Sequence, residues 1–105
     1  MDLTSIGLSA LQAASIGSAV RANNIANVNT DGYQAKRVNL EDQGVGGVRV
    51  ASLTTNLDPT VPNGSNVELA QEFTQNIIDV GSYRAGLAIL KTADELLGQA
   101  LDLKA

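Results

Sequence analysis

The sequence predicts a mainly α protein, an antiparallel, coiled-coil-like pair of N- and C-terminal helices with a short β-hairpin between them. Apolar residues recur at helical spacing over residues 3–28 and again over 69–101. Between these segments, apolar and polar residues alternate, as they do in strands. A chain of 105 residues forms at most one structural domain. We divide it into an N-terminal helix with its exit (1–33), a hairpin with a linker (34–64) and a long C-terminal helix (65–105).

The first helix has a small residue at every fourth position. This row would form a smooth ridge that lets a neighbouring backbone approach closely, although the high helix propensity of alanine also explains it. Gly7 and Gly17 should each weaken the helix by ~1 kcal/mol relative to alanine, so its first turns are expected to be marginal. The row consists of Ala10, Ala14, Ser18, Ala22 and Ala26.

The exit from this helix, residues 21–33, is rich in asparagine. Asn23, Asn24, Asn27 and Asn29 weaken the last turns, because their side chains compete for backbone groups. Gly32 then supplies a residue that can take positive φ at the turn. One interpretation is a frayed helix end. The other is that these amides contact neighbouring parts of a larger assembly.

The middle of the chain predicts a hairpin followed by a linker. Alternating apolar residues around Val38–Leu40 and Val48–Val50 flank the glycines at 44, 46 and 47. Because two strands alone are marginal in water, the hairpin should lean on a helix or a neighbouring subunit. The stretch from Thr54 to Gly64, with Pro59 and Pro62, reads as the linker.

The C-terminal helix is expected to begin at a capping box formed by Ser65 and Glu68. Continued to Leu103, the helix would be ~55 Å long, more than the first helix can cover, so its apolar stripe needs a further partner. The predicted seam contains Leu69, Phe73, Ile77, Val80, Tyr83, Leu87, Leu90, Leu97 and Leu101.

Composition argues against enzymatic chemistry. The chain has no histidine and no cysteine, which removes the usual general base and thiolate ligands. Residues 27–32 imitate the start of a calcium loop, but Val38 stands where a bidentate Glu is required. The glycines at 44–47 lack the Gly-Lys-Ser/Thr ending of a phosphate loop. We therefore predict no catalytic residue, no cofactor and no metal.

Charge and hydropathy limit the partners. A formal net charge of −4, without clusters of Lys and Arg, argues against nucleic acid. The N-terminus lacks the basic and apolar regions of a secretory signal peptide, and no run approaches the ~20 apolar residues that span a membrane. Taken alone, these features predict a cytoplasmic protein without membrane insertion.

Two segments carry a resemblance to a known family. Residues 22–33, Ala-Asn-Asn-Ile-Ala-Asn-Val-Asn-Thr-Asp-Gly-Tyr, and the preceding residues 9–13 resemble the N-terminal motif of bacterial flagellar rod and hook axial proteins. Residues 65–73, 83–85 and 91–97 resemble the C-terminal segment of the same family. The short middle is similar to a minimal, proximal-rod-like member. Gly86 departs from the family, in which Asn is expected.

The resemblance implies a non-enzymatic structural subunit of the flagellar basal-body rod in the periplasm. Such subunits self-assemble through their terminal helices, pair with themselves or related axial proteins, and leave the cell through the flagellar type III export apparatus without a cleaved signal peptide. Arg84 is either an exposed arginine or the partner of a neighbour's carboxylate. The residues expected at assembly interfaces are Asn23, Asn24, Asn27, Gly32, Tyr33, Phe73, Tyr83, Arg84, Leu87, Leu90, Leu97 and Leu101.

A function of another class stays open at this point. The same seam would suit a soluble helical adaptor or dimerisation module that binds a partner helix in the cytoplasm. The two hypotheses differ in whether the helices are complete in the dilute monomer or become ordered on assembly.

Overall fold

The computed structural model describes residues 2–104. Met1 and Ala105, which belong to the predicted segments 1–33 and 65–105, lie outside the described residues. The elements are α1 (Leu3–Ala26), β1 (Lys36–Asp42), β2 (Val48–Thr55) and α2 (Leu69–Lys104). The helices pack antiparallel, since Gly7 lies against Leu90 and Gly17 against Asp79. The predicted fold class, a helix pair with a hairpin between, is confirmed.

The molecule is elongated and has almost no apolar core. It measures 68 × 23 × 14 Å with a radius of gyration of 18.0 Å, against about 13 Å for a compact domain of this length. Its accessible surface is 6875 Å², against about 5,600 Å² for a compact protein of this mass. In the described part of the chain, the buried apolar residues are Ala13, Ala14 and Ala35. Close backbone approach and hydrogen bonds must therefore hold the elements together.

Glycines make the close approach possible. A Cβ atom added to Gly86 would lie 3.2 Å from the carbonyl oxygen of Gly7 and 3.1 Å from Leu11 Cδ2. A Cβ atom on Gly7 would lie 3.0 Å from Leu90 Cδ2. From the sequence, Gly7 was expected only to weaken α1. In the structure it is one of the positions at which the two helices are in contact.

The contact face of α1 differs from the predicted ridge. It contains Gly7, Ala14, Gly17, Arg21 and Asn24, which are all buried. Of the later residues in the predicted row, Ser18 is half-buried and Ala22 and Ala26 are exposed. The steps of three and four residues keep the buried face turned toward α2, whereas a strict step of four drifts around the helix. Ser18 still contacts α2, because its Oγ donates to Asn76 Oδ1 at 3.1 Å. Beyond Ser18, the predicted row leaves the contact with α2.

The first turn of α1 is capped. Asp2 is the N-cap, and its Oδ1 accepts a hydrogen bond of 2.8 Å from the Ser5 backbone N–H. This bond holds the pKa of Asp2 below its usual value. At the other end the backbone N–H of Asn27 donates to the carbonyl oxygens of Asn23 and Asn24 at 3.2 and 3.1 Å. The helix thus has defined partners at both ends.

The length and composition of α1 are sufficient for a helix that crosses a membrane, which the sequence analysis did not expect. Its many Ala and Gly residues raise the hydropathy without a run of large side chains. Helices packed inside soluble proteins reach the same length and hydropathy, so these two properties do not distinguish a membrane helix from a packed one. In this structure α1 packs on α2 and the hairpin.

The hairpin forms as predicted and leans on α1. Its antiparallel register pairs Lys36 with Thr55 and Asp42 with Val48, with an irregularity at Asn39/Leu40. The backbone N–H of Val48 donates to Ser9 Oγ at 3.1 Å. The turn contains Gly44, Gly46 and Gly47 with φ of 81°, 96° and 90°, a conformation that favours glycine.

The predicted capping box at the start of α2 is wrong. The helix begins at Leu69, four residues after Ser65. Ser65 Oγ donates to the carbonyl oxygen of Val28 at 2.7 Å and accepts from the backbone N–H of Val67 at 3.0 Å. A tertiary bond to the exit of α1 therefore uses the hydroxyl that the pattern assigned to a helix cap.

The two helices differ in length, which leaves one end of α2 uncovered. With 36 residues α2 is ~54 Å long, whereas α1, with 24, is ~36 Å long. Because Gly7 lies against Leu90 in this antiparallel pair, the start of α1 lies opposite residues near Ala93 of α2. Every residue from 94 to 103 is exposed. We call residues 94–104 the α2 overhang.

Candidate assembly interface

The centre of the hydrogen-bond network is Asn24, whose side chain is fully buried. Its Oδ1 accepts from the Lys36 backbone N–H and the Tyr33 hydroxyl, both at 2.9 Å. Its Nδ2 donates to the Lys36 carbonyl oxygen at 2.8 Å and to Glu72 Oε2 at 3.1 Å. All four hydrogen-bonding positions of the amide are used. Asn24 pairs with both backbone groups of Lys36, as a neighbouring strand would, and so joins α1, β1 and α2.

A second asparagine, Asn66, fixes the segment between β2 and α2. Its Oδ1 accepts from the Ala35 backbone N–H at 2.7 Å, and its Nδ2 donates to the carbonyl oxygens of Asn56 and Asp58, both at 2.9 Å. The Asn66 backbone N–H also donates to the Tyr33 carbonyl oxygen at 3.2 Å. The segment predicted as a linker is therefore held by specific bonds. Asn66 lies in the C-terminal motif, but no local pattern predicted its partners.

The asparagines at the exit of α1 mostly bond within the chain. The prediction that they face neighbouring subunits does not fit Asn24, which points into the molecule. Exposed Asn23 donates to the Tyr33 hydroxyl at 3.1 Å, and half-buried Asn27 donates to the Asn23 carbonyl oxygen at 2.9 Å. Burial raises the pKa of the half-buried Tyr33. Gly32 is exposed with φ of 73°, and its N–H donates to the carbonyl oxygen of Gly64 at 2.9 Å.

A charged pair lies between the helices next to this network. Arg21 Nε is 3.9 Å from Asp79 Oδ2, and Arg21 is buried. Neither of these two atoms has a hydrogen-bond partner among the described residues. Desolvation raises the pKa of Asp79, the charge of Arg21 opposes this effect, and the charge of Glu72 adds to it. The charge of Arg21 therefore offsets only part of the cost of burying the ionised Asp79.

The burial of Asp79 predicts that the free energy of unfolding depends on pH. Because the pKa of Asp79 is higher in the folded than in the unfolded chain, its contribution to stability is full below 3.8 and is lost as pH rises through the folded pKa. We expect the Asp79→Asn variant to lack this part of the slope. The measurement is urea unfolding of both proteins from below the usual carboxyl pKa up to neutral pH. Equal slopes in the two proteins would contradict the prediction.

Most of the predicted seam of α2 is exposed to a large extent in the described part of the chain. Phe73, Tyr83, Leu87, Leu97 and Leu101 are between 42% and 61% exposed. We call these five residues the α2 stripe. Leu90, which was predicted with them, is half-buried and packs on Gly7 instead. Leu90 thus contributes to the contact between α1 and α2.

A shallow groove of about 480 Å³ lies along the helix pair beside the stripe. We call it the small-residue groove. Arg84 is exposed at this groove. The ion pairs among the described residues are Arg21–Asp79 and Arg49–Glu41, so Arg84 pairs with no carboxylate within residues 2–104. The groove lining includes Ala14, Ser18 and Ala22 from α1, and Asp79, Val80, Tyr83, Arg84 and Leu87 from α2, with Asp79 paired to Arg21. Ala22, which has left the helix contact, thus lines an open surface together with Ala14 and Ser18 at the edge of that contact.

The geometry offers surfaces for packing and few groups for chemistry. Within residues 2–104 no cluster of three or more acidic side chains is arranged to hold a metal ion. The polar groups around Asn24 and Asn66 bond within the chain, and many large apolar side chains are exposed. The surface that calls for a partner is therefore the exposed face of α2 with its groove.

Comparison with known families agrees with this geometry. The family model described as "Flagella basal body rod protein" matches residues 5–34, which contain most of α1 and its asparagine-rich exit. The model described as "Flagellar basal body rod FlgEFG protein C-terminal" matches residues 63–103, which contain nearly all of α2. No protein of curated function matches the chain significantly. With both ends matched in the expected order, the chain belongs to the flagellar basal body rod protein family.

Proposed function

We propose that this chain is a non-enzymatic structural subunit of the flagellar basal-body rod that assembles with flagellar axial proteins through α2. The family assignment supplies the rod and the structural role. The α2 stripe indicates which surface takes part in assembly, because its large apolar side chains are exposed along one helix. Contiguous apolar surface of this kind is typical of protein contacts rather than of a monomer in water.

Assembly would also supply stability that the subunit lacks. Among the described residues, only alanines form the buried apolar set, so hydrophobic burial within one chain is small. A neighbour that covers the stripe binds the folded chain and not the unfolded one, which shifts the folding equilibrium by mass action. We infer that much of the subunit's stability is gained in the rod.

The small amount of buried apolar surface also supports export in an unfolded state through the flagellar type III apparatus. A chain with few buried large side chains is opened at low free-energy cost, because little apolar surface has to be exposed. The absence of cysteine also means that no disulfide has to be formed after passage. Partners in this proposal are the chain itself and related axial proteins.

A deletion with complementation tests the rod assignment. We expect purified basal bodies to contain the chain, and its deletion to abolish completion of the rod and motility until the wild-type gene is restored. Basal bodies that lack the chain, together with unchanged motility after deletion, would overturn the assignment. That result would favour the cytoplasmic adaptor.

Circular dichroism across a dilution series gives a second prediction. Residues 94–103 of the α2 overhang are exposed in the described part of the chain, and an isolated helix end frays in water. Helix content should therefore rise with protein concentration as neighbours cover it. Helix content that is complete and independent of concentration would count against assembly-linked ordering and for a preformed adaptor. A variant that does not associate provides the baseline.

A further inference from the structure

The α2 overhang continues the face of α2 that packs on α1. Along α2 the contacts with α1 include Asp79, Gly86 and Leu90. Steps of three and four residues extend this face to Leu97 and Leu101, beyond the start of α1. Both leucines are about 60% exposed, at 61% and 60%. They are thus positioned to pack on a helix that their own chain does not provide.

The same face of the overhang carries one carboxylate and one flat position. Asp94 precedes Leu97 by three residues and Leu101 by seven, so the three share a side of the helix. At Gly98, between the leucines, an added Cβ would meet no atom within 4 Å. Another helix can therefore approach this side closely.

The small-residue groove has the complementary features. Ala14, Ser18 and Ala22 stand one turn apart and leave room above α1 for incoming side chains. Arg84 supplies a cation that has no carboxylate partner among the described residues. Leu87, one turn further along α2, supplies exposed apolar surface. The groove therefore fits an apolar helix face that also bears a negative charge.

We propose that the α2 overhang of one subunit docks in the small-residue groove of a second copy of this chain. Leu97 and Leu101 lie over the small residues, and Asp94 pairs with Arg84. The occupant cannot be the chain's own overhang, because α2 is one continuous helix that separates Arg84 from Leu97 by ~20 Å along its axis. This inference rests on the proposed function, since it names the contact through which the rod subunit associates with itself.

Charge and symmetry favour this occupant. Residues 94–104 contain three carboxylates and one lysine, so the overhang is acidic where the groove presents Arg84. The overhang and the groove are different surfaces of one subunit, which makes the contact heterologous. Each subunit can give its overhang and receive another, and such contacts build open chains or rings rather than closed dimers.

Charge reversal in the full-length chain tests the pairing. We expect Arg84→Glu and Asp94→Arg each to weaken self-association about tenfold or more in sedimentation analysis, and the double variant to restore it. Glu95→Arg is the matched control, because residue 95 points about 100° away from residue 94. It should change association little and should not restore the Arg84→Glu variant. Circular dichroism verifies that each variant keeps its helices.

Apolar variants provide an independent arm. Leu97→Ser and Ala22→Leu should weaken association, the first by removing a docked side chain and the second by filling the groove. Leu103→Ser is the control, since Leu103 is off this face and 89% exposed. Equal effects of Asp94→Arg and Glu95→Arg, or a double variant that stays dissociated, would overturn the docking. A wild-type chain that does not self-associate would also overturn it, whereas the deletion experiment decides the rod assignment separately.

Discussion

Replacement of Asn24 by alanine is expected to lower the free energy of unfolding by roughly 3–5 kcal/mol, the sum of several lost buried hydrogen bonds. The variant leaves the Lys36 N–H and carbonyl, the Tyr33 hydroxyl and a Glu72 oxygen without their partner. A loss of this size is comparable to the whole stability of a marginal domain. Urea unfolding followed by circular dichroism measures it.

Asn29→Ala is the matched control for this substitution. Asn29 belongs to the same motif but is exposed and makes no side-chain hydrogen bond among the described residues. Its replacement should change stability by no more than about 0.5 kcal/mol, the usual range for surface positions. Equal effects of the two alanine variants would show that Asn24 does not hold the elements together.

Asn24→Asp separates the accepting from the donating half of the side chain. The carboxylate can still accept from Lys36 N–H and the Tyr33 hydroxyl. It cannot donate to the Lys36 carbonyl oxygen or to Glu72, and it adds a like charge beside Glu72. We expect Asn24→Asp to be nearly as unstable as Asn24→Ala at neutral pH. Adding Glu72→Gln should recover part of the loss, because the glutamine amide can donate to the new carboxylate.

The second large effect is expected at Gly86. Alanine has ~1 kcal/mol higher helix propensity than glycine, but a Cβ atom here would press on the Gly7 carbonyl oxygen at 3.2 Å. Backbone cannot yield as a flexible side chain does. Overpacking costs about 1–3 kcal/mol, so we expect Gly86→Ala to be destabilised overall.

Gly81→Ala is the control in the same helix. No atom lies within 4 Å of an added Cβ at Gly81. This variant should therefore gain up to about 1 kcal/mol from helix propensity alone. If Gly86→Ala is stabilised to the same extent in thermal unfolding, the close approach of the helices near Gly7 is not a determinant of stability.

The elements that were predictable from sequence are those encoded by local periodicity. The alternation around Val38 and Val48, with glycines between them, predicted the hairpin because strands and tight turns have local requirements. The family motifs at both ends predicted the rod assignment. The N-terminal helix ends at Ala26, two residues before the expected Val28, within the usual scatter of helix boundaries.

The parts that sequence could not supply depend on distant partners. Ser65 matches a capping pattern, yet its hydroxyl bonds to Val28, and this preference appears only once the chain is folded. Asn24 looked like a weak helix residue because its partners Lys36 and Glu72 lie far along the chain. Gly86 carries no local pattern at all, and only the crossing of the helices reveals why a side chain is excluded there. The assembly role of the α2 stripe stays a prediction.

The scarcity of buried apolar surface has a thermodynamic consequence. The heat capacity change of unfolding follows apolar exposure, so this subunit should fall below the ~12–15 cal/mol/K per residue of ordinary domains. The free energy of unfolding of the isolated chain then varies little with temperature, so cooling lowers it only slightly. Association of the subunits buries the α2 stripe, so a negative heat capacity change accompanies association. Contacts between the subunits of the rod should therefore weaken on cooling.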